Sequence, residues 1–188
     1  PIAFLFNTHM HGDHSGGNAS FNTGQTTLVS HVNARKRIAL QNQQQMKEQK
    51  IDSAYYKKML PELTFTEDIT FLNNNVIHMG DTYFAGRYPY IDLNSGGSVD
   101  GYIAALEKVL LLINDETVII PGHGRPSDKA ALQGYLGMLQ EIRSRVSAAI
   151  AAGKSLEEAR AMASLTAGYD TAHGGGFISP ERIREIFY

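Results

Sequence analysis

Apolar positions fall in short blocks along the chain, separated by stretches rich in glycine and asparagine. Residues 2–6 form a continuous apolar run bounded by Pro1 and Asn7, which predicts a short buried strand. Residues 26–30 predict another. Asn33 is placed to cap a helix over 34–41. The Gln- and Lys-rich stretch 41–50 then reads as a solvated helix or a loop. Residues 69–72 and 76–79 predict two strands joined by the turn-forming triplet Asn73-Asn74-Asn75. After a glycine-punctuated segment, Ser98 is suited to cap a helix to about 113. Ile103, Leu106, Val109, Leu110 and Ile113 lie at helical spacing there. Residues 117–120 predict a strand that ends at Pro121-Gly122-His123-Gly124. Ser127 or Asp128 caps a long helix to about 152, with Leu132, Leu136, Leu139, Ile142 and Val146 as its core stripe. Helices over 155–165 and 180–187 close the chain, the latter with Ser179 as cap and Pro180 in its first turn. Alternating strands and helices predict an α/β fold with helices packed on sheet faces.

Composition narrows the function. The 188 residues predict a single domain over 1–188. Hydrophobic residues make up 43%, enough for a core, and the net charge of -2 offers no footprint for nucleic acid. No apolar run approaches the ~18 residues of a membrane span. The absence of cysteine excludes a disulfide scaffold, a thiolate metal site and a cysteine nucleophile. The chain opens inside a strand-like run, so its start is expected to be trimmed. Any export signal would then lie before Pro1, which leaves the compartment, periplasmic or cytoplasmic, open.

The chemistry concentrates in Thr8-His9-Met10-His11-Gly12-Asp13-His14, with three histidines and one aspartate within six positions after a predicted strand. His9 and His11 are two apart, so in extended backbone both imidazoles point the same way. Asp13 and His14 follow in the turn. Neutral imidazole nitrogens and carboxylate oxygens are the donors that Zn²⁺ accepts. Gly12, Gly16 and Gly17 allow the backbone to turn tightly around them. Two further candidates, Asp81 and His123, each sit where a predicted strand emerges into a glycine-containing loop, a common place for site residues in α/β folds.

The stretch from Thr8 to Asn18 resembles the HxHxDH signature of the metallo-β-lactamase superfamily. Gly80-Asp81-Thr82 and Pro121-Gly122-His123-Gly124 resemble its later ligand motifs, in the same order. The segment 86–98 is similar to a branch of zinc-dependent hydrolases of uncertain substrate. The resemblance implies a four-layer αββα sandwich with the metals at one edge between the sheets. It implies that His9 and His11 hold one zinc, that Asp13, His14 and His123 hold another, and that Asp81 bridges them. It further implies hydrolysis by a metal-activated hydroxide that attacks a carbonyl, with Asp13 orienting the water and shuttling its proton. The substrate would be a small ester, thioester, lactone or lactam. A carboxylate at Asp81 resembles the thioester and lactone hydrolases more than those β-lactamases with cysteine there. Arg87, Tyr88 and Tyr90 are candidates to line a pocket and bind a substrate carboxylate, with a packed loop carrying a surface arginine as the equal alternative.

The sequence departs from the family pattern in two places. No histidine in a Gly-His-Thr context lies between His14 and Asp81; His31 and His78 are the only histidines there, and both read as structural. A hairpin carrying that ligand would fit near 69–75. The family also has several strands before the HxHxDH loop. Without them the first sheet has unpaired edges, for which a second copy of the chain is a candidate cover. With the first ligand set complete, two zinc ions per chain are expected; with the set as it stands, one. The alternative reading is therefore a metal-binding but catalytically impaired scaffold or interaction protein with a single zinc. A nuclease of the same superfamily fits worse, because the chain is short and slightly acidic. His173, in a glycine-rich stretch, reads as a flexible surface loop.

Overall fold

The computed structural model describes residues 2–67 and 75–188. The chain divides into two compact units, Pro1–Leu72 and Asn73–Tyr188. The strand expected over 69–72, most of the turn after it and the position suggested for a ligand-bearing hairpin lie outside the described residues.

The first unit is built on a parallel sheet of β1 (Phe4–Asn7), β2 (Thr27–His31) and β3 (Leu63–Phe65), in the order β1-β2-β3. Parallel neighbours need crossovers. The first crossover contains two short helices, α1 (Gly12–Ser15) and α2 (Asn18–Phe21). The second contains α3 (Val32–Lys47) and α4 (Ser53–Met59). Leu28, Val29, Ala34, Ile38 and Met59 are buried in this unit. The helix predicted from 34 starts earlier and runs through the Gln-rich stretch. Its cap is His31, not Asn33: Nδ1 of His31 accepts from the Asn33 N–H at 3.1 Å. Nε2 therefore carries the proton and donates to the Thr66 carbonyl at 2.9 Å. Both ring nitrogens of His31 are thus engaged in structure.

The second unit pairs β4 (Val76–Phe84) in parallel with β5 (Val118–His123). The crossover helix is α5 (Val99–Leu112), capped by Ser98 as the sequence predicts. Helices α6 (Lys129–Ala151), α7 (Leu156–Ala161), α8 (Ala167–His173) and α9 (Pro180–Phe187) follow. Asp128, Ser155 and Ser179 cap α6, α7 and α9. The predicted stripe of α6 is buried at Leu132, Leu139, Ile142 and Val146. These side chains pack in one core with Phe84, Tyr88, Leu106, Ile119 and Ile183. Each such apolar side chain contributes roughly 1.5–3 kcal/mol through burial. β4 is longer than its partner, and its register slips between His78 and Gly80 and again between Gly80 and Phe84. These irregularities break the two-residue alternation, so Tyr83 and Phe84 are both buried. No helix among the described residues is long and apolar enough to cross a membrane.

Candidate metal centre

In the first unit, β1 ends at Asn7, and its buried amide fixes the loop that follows. Asn7 and Asn18 exchange a reciprocal pair of amide hydrogen bonds, each 2.8 Å. Asn18 also donates to the Met59 carbonyl at 2.8 Å, and Asn7 to the His14 carbonyl at 3.2 Å. Both ends of the histidine segment are thereby tied to the same point. Within it, the buried Ser15 hydroxyl reaches the carbonyls of Met10 and His11, each at 3.1 Å. The sequence singles out the histidines but not Asn7 or Ser15, because a short polar residue beside a strand reads as ordinary loop.

The histidines converge. Nε2 of His9 and Nδ1 of His11 lie 3.0 Å apart, and the Thr8 hydroxyl meets the other ring nitrogen of His9 at 3.1 Å. The His9 and His14 rings are 4.2 Å apart at their centroids. Donor atoms of His9 and His14 lie within 4.8 Å of one another, as do those of Asp13 and His14. Asp13 Oδ2 stands 3.4 Å from His14 Nε2. The His14 side chain is nearly buried at 11% exposure, whereas Asp13 is open at 57%, so of these two the carboxylate is the one that meets solvent.

In the second unit, the irregular part of β4 presents Asp81, and the last residue of β5 is His123. Asp81 Oδ1 and His123 Nε2 are 3.4 Å apart, with both side chains about four-fifths buried. Gly122 makes this approach feasible: a Cβ there would overlap the Asp81 carboxylate and the Gly80 carbonyl. The imidazole of His123 stacks on Phe84 at 4.8 Å, its register partner, and Phe177 meets both rings edge-on at 5.6 Å.

Solved structures with a similar backbone exist. A metallo-β-lactamase from Pontibacter korlensis is 17% identical, with a TM-score of 0.55 over 74% of this chain and 70% of its own. A metallo-β-lactamase from Hirschia baltica is 14% identical, with a TM-score of 0.54 over 74% of this chain and 68% of its own. A stereoselective inverting sec-alkylsulfatase from Pseudomonas sp. is 15% identical, with a TM-score of 0.62 over 100% of this chain and 41% of its own. The chain has the metallo-β-lactamase fold. No protein-family model matches the sequence, and no curated protein does.

Within this metallo-β-lactamase fold the loop after β4 is held by Tyr88. Its N–H donates to the His173 carbonyl at 3.0 Å, and its phenol donates to Asp170 Oδ1 at 2.8 Å. Tyr88 is only 1% exposed, and burial together with the Asp170 carboxylate pushes its pKa well up, so the phenol stays neutral. Arg87 and Tyr90, on either side, are exposed. The phenols of Tyr83, on β4, and of Tyr102 and Tyr135 are also raised, chiefly by burial, which removes them from acid–base work near neutral pH. His173 is the last residue of α8 rather than part of a flexible surface loop. It is half-buried beside Tyr88, Tyr135 and Tyr169, and burial lowers its pKa.

Proposed function

We propose that the chain is a zinc-dependent hydrolase whose ligands are His9, His11, Asp13, His14, Asp81 and His123. The observation that carries this reading is the convergence of ring nitrogens and a carboxylate within residues 9–14 of a metallo-β-lactamase fold. The donor set suits zinc, being imidazole nitrogen and carboxylate oxygen with no thiolate. The close Asp81–His123 pair supplies the same two donor types from buried, preformed positions.

In this reading His9, His11, Asp13 and His14 are the ligands that the first unit supplies, and Asp81 and His123 those that the second supplies. Bound zinc supplies Lewis acidity toward a carbonyl and makes water acidic enough to ionise near neutral pH. The open carboxylate of Asp13 orients the attacking water and takes its proton. His14, held at the Asn7–Asn18 junction through its carbonyl, keeps Asp13 in place. The substrate is a small carbonyl compound, a thioester or lactone ahead of a β-lactam, because position 81 carries a carboxylate. Screening esters, thioesters, lactones and lactams against the zinc-loaded chain tests this. Turnover that falls about 10²–10⁴-fold in Asp13→Asn supports the reading, and turnover unchanged in that variant contradicts it.

One observation favours a second reading, a single-zinc scaffold with weak or no catalysis. The two histidines between His14 and Asp81 are His31, engaged at both ring nitrogens, and His78, whose Nδ1 accepts from the Gly80 N–H at 3.0 Å. Two zinc ions with turnover support the dinuclear hydrolase; one zinc without turnover supports the scaffold.

A further inference from the structure

The segment after α8 brings an aromatic ring and a cation to the neighbourhood of His123. Residues 174–176 are three glycines, and Phe177 follows. The segment is fixed at both ends. The His173 carbonyl accepts from the Tyr88 N–H, the Gly174 N–H donates to the Asp170 carbonyl at 2.8 Å, and Ile178 is buried. Phe177 itself is 57% exposed. A single exposed apolar side chain is ordinarily unremarkable. This one differs because one part of its ring rests edge-on against both His123 and Phe84, while the rest faces solvent.

The neighbouring residue adds charge. The stem of Arg87 lies along Gly176: a Cβ on that glycine would stand 3.3 Å from Cδ of Arg87, 3.4 Å from its Cβ and 3.5 Å from its Cγ. Arg87 and Phe177 therefore flank the same glycine, whose missing side chain lets the arginine stem lie close. Arg87 is exposed and makes no ion pair among the described residues. Its guanidinium is permanently charged and shaped for a carboxylate or phosphate.

We infer that Phe177 and Arg87 form a recognition pair for an amphiphilic substrate, with an aryl or alkyl group on the Phe177 ring and an anionic group on the Arg87 guanidinium. The inference rests on the hydrolase reading only in setting this pair beside His123, where the reaction would take place. It makes Phe177 a specificity-determining residue and narrows the substrate class to acyl compounds that carry both an apolar and a negatively charged portion.

The test uses the full chain and two probes of matched shape, 4-phenylbutyrate and the neutral 4-phenyl-1-butanol. Binding is read from the NMR signals of ring-labelled phenylalanine, before and after treatment with EDTA. The expected result is a saturable shift of the Phe177 and Phe84 ring signals with both probes, Phe84 serving as the reporter in the Phe177 variants. Phe177→Ala weakens both about tenfold, the scale of one aromatic contact. Phe177→Leu, which keeps an apolar surface, falls between. Arg87→Met weakens 4-phenylbutyrate about tenfold and leaves the alcohol unchanged. Equal binding by wild type and a folded Phe177→Ala variant would overturn the inference, as would an Arg87→Met variant that affects both probes alike. Zinc content measured in the same preparations judges the metal centre separately. Zinc present with no effect of Phe177→Ala sinks the recognition pair alone. Probe binding that depends on both residues in a zinc-free chain sinks the hydrolase reading alone.

Discussion

At the scale of single residues, the segment 8–14 is both the most legible part of the sequence and the part most dependent on neighbours that the sequence does not announce. The ligand types and the two-residue spacing of His9 and His11 point to convergence, and the rings do converge. What holds them is the Asn7–Asn18 amide pair, joined from positions eleven residues apart. No periodicity marks such a pair, because its meaning is set by tertiary contact. Asn18→Ala leaves the Asn7 amide and the Met59 carbonyl without their buried partner. The expected loss is about 2–3 kcal/mol of unfolding free energy, measured by urea titration. His173 carries a second residue-scale prediction. Burial lowers its folded pKa below the ordinary value of 6.5, so the unfolded chain binds its proton more readily. The stability it contributes is present above the unfolded pKa and lost as pH falls through the folded one. Between about pH 7 and pH 5 the wild type should therefore lose more thermal stability than His173→Gln, as followed by circular dichroism.

At the scale of elements, strongly periodic segments were the readable ones. The caps at Ser98 and Ser179 and the apolar stripe of α6 follow from local chemistry; of the two caps the sequence offers for α6, Ser127 and Asp128, the structure uses Asp128, and Ser155 caps α7 without being singled out in the sequence. The elements missing from the sequence reading are those with little buried surface. α4 buries only Met59, α8 contains no buried residue, and β3 is three residues long with two of them exposed. Their positions are set by packing and by backbone pairing, so hydrophobic spacing carries no trace of them. The sequence predicts a strand ending before Asp81, whereas the irregular β4 continues past it, because a bulge disguises the alternation. Among the caps, Asp128 serves the longest helix through its bond to the Ala131 N–H at 2.8 Å. Asp128→Ala is expected to cost about 1 kcal/mol, read as a lower thermal midpoint, whereas Asp128→Ser should recover most of it.

At the scale of the molecule, each of the two units contains a parallel sheet and its own part of the donor set. The first holds His9, His11, Asp13 and His14; the second holds Asp81 and His123. The fold is legible because three motifs occur in one order, and solved structures of similar backbone include metallo-β-lactamases and an alkylsulfatase. The substrate was not legible, because it depends on loops such as 86–92 and 174–178, whose conformation is fixed by contacts distant in sequence. The proposal that His14 and Asp81 are zinc ligands is open to direct test. The measurement is the zinc content of the purified full chain beside its His14→Ala and Asp81→Asn variants. At least one zinc ion per wild-type chain is expected, with most of it lost in both variants. A zinc-free wild type, or zinc retained in full by either variant, would contradict it.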